Sequence, residues 1–251
     1  MTPLEAVAIV LAGVFAGGIN AVVGSGTLVT FPVLLAVGYP PVVANVSNTL
    51  GLVPGSITGA IGYRRELTGQ WIRMLRLGPA ALLGSATGAV LLLVLPPGAF
   101  EAIVPALIVL ALVLVVLQPW LARKIAALQE EPHPHGGLSL QLAIFGTGSY
   151  GGYFGAAQGV LMLALMGILM EETLQRINAA KNVLAAIVNL TAGVVFVFVA
   201  DVAWLAVVLL AGGSIVGGVL GARVGRRLRP IWLRAVIVVV GIAAILQILT
   251  R

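Results

Sequence analysis

Lys181 is the only charged residue between Arg176 and Asp201, inside a run apolar enough to lie in lipid. A lysine at the centre of a membrane helix costs about 2.5–3.5 kcal/mol on insertion scales, so it needs a partner, water or a ligand. Asn178 and Lys181 are three positions apart and share a helix face, with Asn182 adjoining. The ligand that such a cation would meet is an anion. The competing reading is a side chain that snorkels to the interface, since Arg176 lies only about 7.5 Å earlier along a helix. The acidic partners nearest in sequence are Glu171 and Glu172.

Two further polar clusters interrupt apolar sequence. ANVSNTLG, 44–51, carries Asn45, Ser47, Asn48 and Thr49. Asn45 and Asn48 again share a face, either toward a binding site or as hydrogen-bonding glue between helices. The second cluster, Gly24-Ser25-Gly26-Thr27, precedes a short apolar segment, and Gln158-Gly159 takes the corresponding place later in the chain. If each short segment is a half-helix, its first N–H groups and positive dipole end would face an anion. A structural hinge is the alternative. The candidate substrate-binding residues are therefore Ser25, Gly26, Thr27, Asn45, Asn48, Thr49, Gln158, Gly159, Asn178, Lys181 and Asn182.

Signatures of catalysis are poor. His133 and His135 occupy the polar loop EEPHPHGG, and no buried base stands beside a serine. Glu130-Glu131 and Glu171-Glu172 fall outside the apolar runs, so no acidic pair is placed to hold magnesium. There is no cysteine, which removes disulfides and thiolate metal sites. The residues imply no enzyme, cofactor or metal.

The elements that must position these residues are membrane helices. Apolar residues make up 60% of the chain and charged ones 9%, too few to keep a soluble surface in water. No charge occurs between Glu5 and Arg64, room for two or three passes of roughly 20 residues each. The N-terminal MTPLEAVAIV lacks a basic leader region, so the first apolar run is expected to stay as a helix. The net charge of +6 comes from arginines in short clusters between apolar runs, the pattern of cytoplasmic loops rather than of a nucleic-acid-binding face.

A shift of 133 positions lays Gly18 on Gly151, Gly26 on Gly159, Asn45 on Asn178, Thr58 on Thr191 and Gly84 on Gly217. Equivalent loops carry opposite charge bias. Arg64, Arg65, Arg73 and Arg76 follow the third segment of the first half, whereas the matching 197–209 holds only Asp201. The cluster from Arg223 to Arg234 matches 90–101, which has no cation. That pattern predicts inverted repeats with an odd number of crossings in each. Five fit: 4–23, 26–39, 42–62, 77–95 and 102–121, then 138–157, 160–170, 174–200, 203–222 and 232–250, with the N-terminus outside. The expected division is repeat one over 1–121, a cytoplasmic linker over 122–137 and repeat two over 138–251. The second segments rise only about 16–21 Å against a core of roughly 30 Å, so they are expected to be broken or half-helices near the midplane.

The segments GGINAVVGSGTLVTFPVLLAVGYPPVVANVSNTLG, GYRRELTG, YGGYFGAAQGVL and LQRINAAKNVLAAIVN resemble the sulfite exporter TauE/SafE family of prokaryotic permeases. The resemblance covers both halves. It implies a multi-pass inner-membrane protein that moves small sulfur-containing or carboxylate anions, such as sulfite or sulfonates, by a secondary, gradient-driven mechanism. Members are usually described with seven or eight spans, against the ten counted above. The expected fold is all-α and polytopic, and the expected partners are a small anion, the lipid bilayer and a coupling ion, proton or sodium. A homo-oligomer is left open. The alternative function is a passive anion channel, or a membrane scaffold that moves lipid.

Overall fold

The structure, a computed structural model, describes residues 1–126 and 137–224, together with 238, 239 and 242. His133 and His135, most of the linker, the arginines beyond Arg223 and nearly all of the expected segment 232–250 lie outside the described residues. Among the described residues the chain is all-helical: α1 (Pro3–Val22), α2 (Thr27–Val37), α3 (Pro41–Gly62), α4 (Trp71–Val94), α5 (Pro97–Ala126), α6 (Leu138–Tyr153), α7 (Gln158–Leu169), α8 (Leu174–Val199) and α9 (Trp204–Val224). Five stretches of the described residues are long and apolar enough to cross a membrane, namely α1, α4, Gly98–Leu117 of α5, α8 and most of α9. The chain is a multi-pass membrane protein.

Local chemistry starts these helices. Thr2 and Glu5 form a capping box, the Thr2 N–H donating to Glu5 Oε2 at 2.7 Å and the Glu5 N–H to Thr2 Oγ1 at 3.3 Å. Pro3, Pro41 and Pro97 occupy first helical positions, where a missing N–H costs nothing. Several boundaries differ from expectation: α5 spans Pro97–Ala126 rather than 102–121, and α6 ends at Tyr153 rather than 157. Helix α4 begins at Trp71 rather than 77, so Arg73 and Arg76 lie on its first turns. Arginine is a good helix former, and Arg73 gains partners there: Gln70 Oε1, and Glu172 Oε2 at 3.2 Å.

Packing follows lipid rules. The buried face of α1 is mostly small, with Ala12, Gly13, Ala16 and Gly17 beside Ile9 and Ile19, while Leu4, Val7, Leu11 and Phe15 point outward. Without a hydrophobic difference between lipid and core, association depends on close backbone approach, and small residues permit it. The longer cores sit where side chains must fill space. Phe31 and Phe100 meet Phe154 edge-on, with ring centroids 5.2 and 5.9 Å away.

The chain interleaves. Helix α1 packs on α9 and α6 on α4, while α3 contacts α9 and α8 contacts α4. Gly213, Gly217 and Gly221 lie in turn against the carbonyls of Val10, Val14 and Gly18, so α1 and α9 run parallel. Gly51, Gly55 and Gly62 meet Leu210, Ser214 and Ala222, making α3 parallel to α9 as well. Between α3 and α8 the order reverses: Leu50 meets Gly193, Ser56 meets Asn189 and Gly59 meets Asn182. These two helices are antiparallel and cross near Ser56 and Asn189.

One end of the bundle gathers the charges. The loop after α3 meets the start of α8: the Arg176 guanidinium donates to the Thr68 carbonyl at 2.9 Å, and Gln70 Nε2 to the Arg176 carbonyl at 3.0 Å. Glu172 pairs with Arg73 and, at 2.9 Å, with Arg176. Burial would raise the Glu172 pKa, but hydrogen bonds from Arg176, the Thr173 N–H and Arg73 hold it below the ordinary carboxylate value. Glu172 is thus committed to this end rather than to Lys181.

Candidate functional site

Two helix breaks build the site. At the end of α1 the N–H groups of Val23 and Gly24 both donate to the Ile19 carbonyl, at 2.7 and 3.0 Å, and Gly24 turns the chain at φ 89°. The end of α6 repeats this: Phe154 and Gly155 donate to the Tyr150 carbonyl at 2.9 and 3.1 Å, with Gly155 at φ 76°. Positive φ is a conformation that glycine reaches without a Cβ penalty. Each break hands over to a short helix, α2 from Thr27 and α7 from Gln158.

The local equivalence is therefore Gly24 with Gly155 and Thr27 with Gln158, two positions off the 133 shift that pairs Gly26 with Gly159. Downstream the shift holds, with α3 and α4 starting at 41 and 71 and α8 and α9 at 174 and 204. Gly26 does lie in a break, as the residue before α2, whereas Gly159 is the second residue of α7.

The breaks touch back to back. The Gly159 N–H donates to the Gly24 carbonyl at 2.9 Å, and a Cβ on either glycine would overlap the other's backbone. Beside this crossing lies a cavity of about 20 Å³. Asn20, Gly24 and Thr27 line it from α1 and α2, and Gly155, Gln158 and Gly159 from α6 and α7. Ser56 of α3 and Asn182, Ala185 and Asn189 of α8 complete the wall.

Among the described residues the lining contains no carboxylate and offers donors. Thr27 Oγ1 accepts from Asn48 Nδ2 at 3.2 Å, which leaves the hydroxyl proton to donate. The Gln158 amide makes only a 4.0 Å approach to Met162 Sδ. The N-cap residues of α2 and α7 make no side-chain cap, but backbone carbonyls already take first-turn N–H groups: Leu28 donates to Ser25, Gln158 to Gly155 and Gly159 to Gly24, so what these ends bring to the cavity is their positive dipole. Asn189 Nδ2 donates to Ser56 Oγ at 3.1 Å across the α3–α8 crossing. Hard cations prefer carboxylate and carbonyl oxygens, whereas the described polar side chains of this wall are hydroxyls and amides.

The expected residues divide into lining and support. Thr27, Gln158, Gly159 and Asn182 line the cavity. Gly26 does not offer its N–H, which donates to Asn20 Oδ1 at 2.7 Å. Ser25 is fully buried, and its Oγ has no hydrogen-bond partner among the described residues. Asn48 also bonds Thr30 Oγ1, and the Thr49 hydroxyl donates to the Asn45 carbonyl at 3.0 Å.

The remaining three tie off the broken helices. Asn45 Nδ2 donates to the Tyr153 carbonyl at 2.9 Å, closing the end of α6, and Asn178 Nδ2 donates to the Ala21 carbonyl at 3.0 Å, closing α1. Lys181 is completely buried, so it does not snorkel, and its Nζ donates to the Asn20 carbonyl at 2.6 Å. Its charge meets the negative end of α1, where helix carbonyls lose their intrahelical donors. Asn20, Ser56 and Asn189 were not singled out from sequence. The signal was present, because Asn189 is the 133-shifted counterpart of Ser56 and both interrupt apolar runs.

A family model described as sulfite exporter TauE/SafE matches residues 9–248. The chain is 28% identical over 230 residues to the probable membrane transporter protein YfcA of Escherichia coli K12, covering 91% of this chain and 82% of the relative. It is 27% identical to a probable membrane transporter protein of Haemophilus influenzae, over 84% of this chain and 81% of the relative. A probable membrane transporter protein of Sinorhizobium, ORF9, is 25% identical over 95% of this chain and 90% of its own length. No solved structure matches.

Proposed function

The chain belongs to the sulfite exporter TauE/SafE family of membrane transporters, and we propose that it exports small sulfur-containing or organic anions, such as sulfite or sulfonates, across the inner membrane by gradient-driven alternating access. The observation that carries the reading is the cavity at the crossing of the two helix breaks, with no carboxylate among its described lining residues and the positive dipole ends of α2 and α7 beside it. A compact oxyanion would accept hydrogen bonds from Thr27, Gln158 and the asparagine amides, with the buried charge of Lys181 one residue behind the wall at Asn20.

The cavity holds about one water and is too small for sulfite, which suits a closed state between two open ones. The antiparallel crossing of α3 and α8, and the exchange of partners between α1·α9 and α6·α4, support inverted repeats related by an axis in the membrane plane. Rocking about that crossing would widen the cavity toward each side in turn.

Counterflow in liposomes loaded with unlabelled sulfite tests this. Wild-type protein should accumulate labelled sulfite transiently. Thr27→Val and Gln158→Leu should each lower the rate about tenfold, the worth of one hydrogen bond to a charged group. Absence of exchange with sulfite, sulfoacetate and simple carboxylates would defeat the transport reading, and wild-type rates from both variants would move the site elsewhere.

A further inference from the structure

A second, separate cavity of about 510 Å³ opens at the charged end of the bundle, between α3 and α9. It lies on the other side of α3 from the anion cavity, since Thr58 and Ile61 line it whereas Ser56 lines the first. Among the described residues three guanidinium groups ring it: Arg64 and Arg65 from the turn after α3, and Arg223 from the last turn of α9. All three are exposed, and none is in an ion pair with a described residue. Glu66, the acidic residue of this turn, is half-buried and does not line the cavity.

Below the arginines the same groove turns apolar and outward. Ile61 of α3, 55% exposed, and the half-buried Val219 of α9 line it, and Ile57 continues the exposed apolar face one turn along α3. The helices close the groove from behind by tight contact, with Gly55 against Ser214 and Gly62 against Ala222. A positive rim above an apolar trough matches one class of molecule in both parts. We propose that this groove is a binding site for an anionic phospholipid of the cytoplasmic leaflet. Its phosphate is held by Arg64, Arg65 and Arg223, and its acyl chains lie along Ile61 and Val219. Basic pockets between membrane helices suit such headgroups, and guanidinium groups hold phosphate oxygens by paired hydrogen bonds. A soluble anion would use the rim but gain nothing from the trough.

Native mass spectrometry of the whole protein, released from mixed micelles of phosphatidylglycerol and phosphatidylcholine, reads the preference directly. Wild-type protein should retain phosphatidylglycerol in excess, and each of Arg64→Gln, Arg65→Gln and Arg223→Gln should cut the excess roughly fivefold, about 1 kcal/mol per arginine. Thermal midpoints provide the second arm. Phosphatidylglycerol should raise that of the wild type above its value in phosphatidylcholine, the triple variant should lose the rise, and inorganic phosphate should not reproduce it. Equal retention of the two lipids by wild-type protein would overturn the proposal even if no variant folds. So would an unchanged excess in the triple variant. A full rise with inorganic phosphate would make this a soluble-anion site and overturn the lipid assignment.

Discussion

Lys181 shows how a sequence marks a costly residue without naming its partner. A lone cation in an apolar run was visible because charge is written in the side chain. Its acceptor was not, because the Asn20 carbonyl carries no mark in sequence and becomes available only where α1 ends. The same holds for Asn45 and Asn178, which close α6 and α1 through backbone oxygens. Lys181→Met should leave folding and insertion near wild type. It removes a penalty of about 2.5–3.5 kcal/mol and strands one carbonyl at about 1–3 kcal/mol. Transport should nevertheless fall about tenfold, because a buried charge beside the cavity acts through a low dielectric. Lys181→Arg should lie between, its planar fork fitting the Asn20 carbonyl less well. Flux measured at matched protein levels decides, and a wild-type rate from the methionine variant would leave Lys181 a helix cap with no part in transport.

Helix positions were largely legible, since apolar runs bounded by charges or turn residues set the limits of α1, α3, α8 and α9 to within a few positions. What sequence did not reveal was the pairing of α1 with α9 and of α6 with α4, because small-residue faces look alike on every helix. Nor did it reveal the two-position slip at the breaks, where neighbouring glycines make several alignments equally good. The crossing itself predicts which glycines matter. Gly159→Ala would place a methyl group on the Gly24 backbone, and neither break has side-chain slack to absorb it. Gly146, also helical, has open space where its Cβ would stand. Gly146→Ala should therefore be neutral or stabilising by up to about 1 kcal/mol, whereas Gly159→Ala should lower the thermal midpoint and abolish transport. Equal midpoints for the two variants would show that the breaks do not meet as described.

Charge and helix direction converge on one orientation of the whole molecule. Arg64, Arg65 and Arg223 share a cavity, and Arg73 and Arg176 share Glu172, so the end of α3, the starts of α4 and α8 and the end of α9 lie together. At the opposite end the Ala203 N–H donates to Ser47 Oγ at 2.9 Å, joining the start of α9 to the first turns of α3. The positive-inside rule assigns the arginine end to the cytoplasm. The chain has no cysteine, so single introduced thiols report without background. Thr68 and Arg223 are exposed at the arginine end, and Asp201 is exposed at the other. Thr68→Cys and Arg223→Cys should be blocked by a membrane-impermeant maleimide only in inverted vesicles, and Asp201→Cys only in intact cells. Because Thr68 and Asp201 fall in loops that the 133 shift makes equivalent, labelling from opposite sides is what inverted repeats require and parallel repeats forbid. Labelling of both from one side would end the inverted reading, and with it the rocking proposed about the α3–α8 crossing.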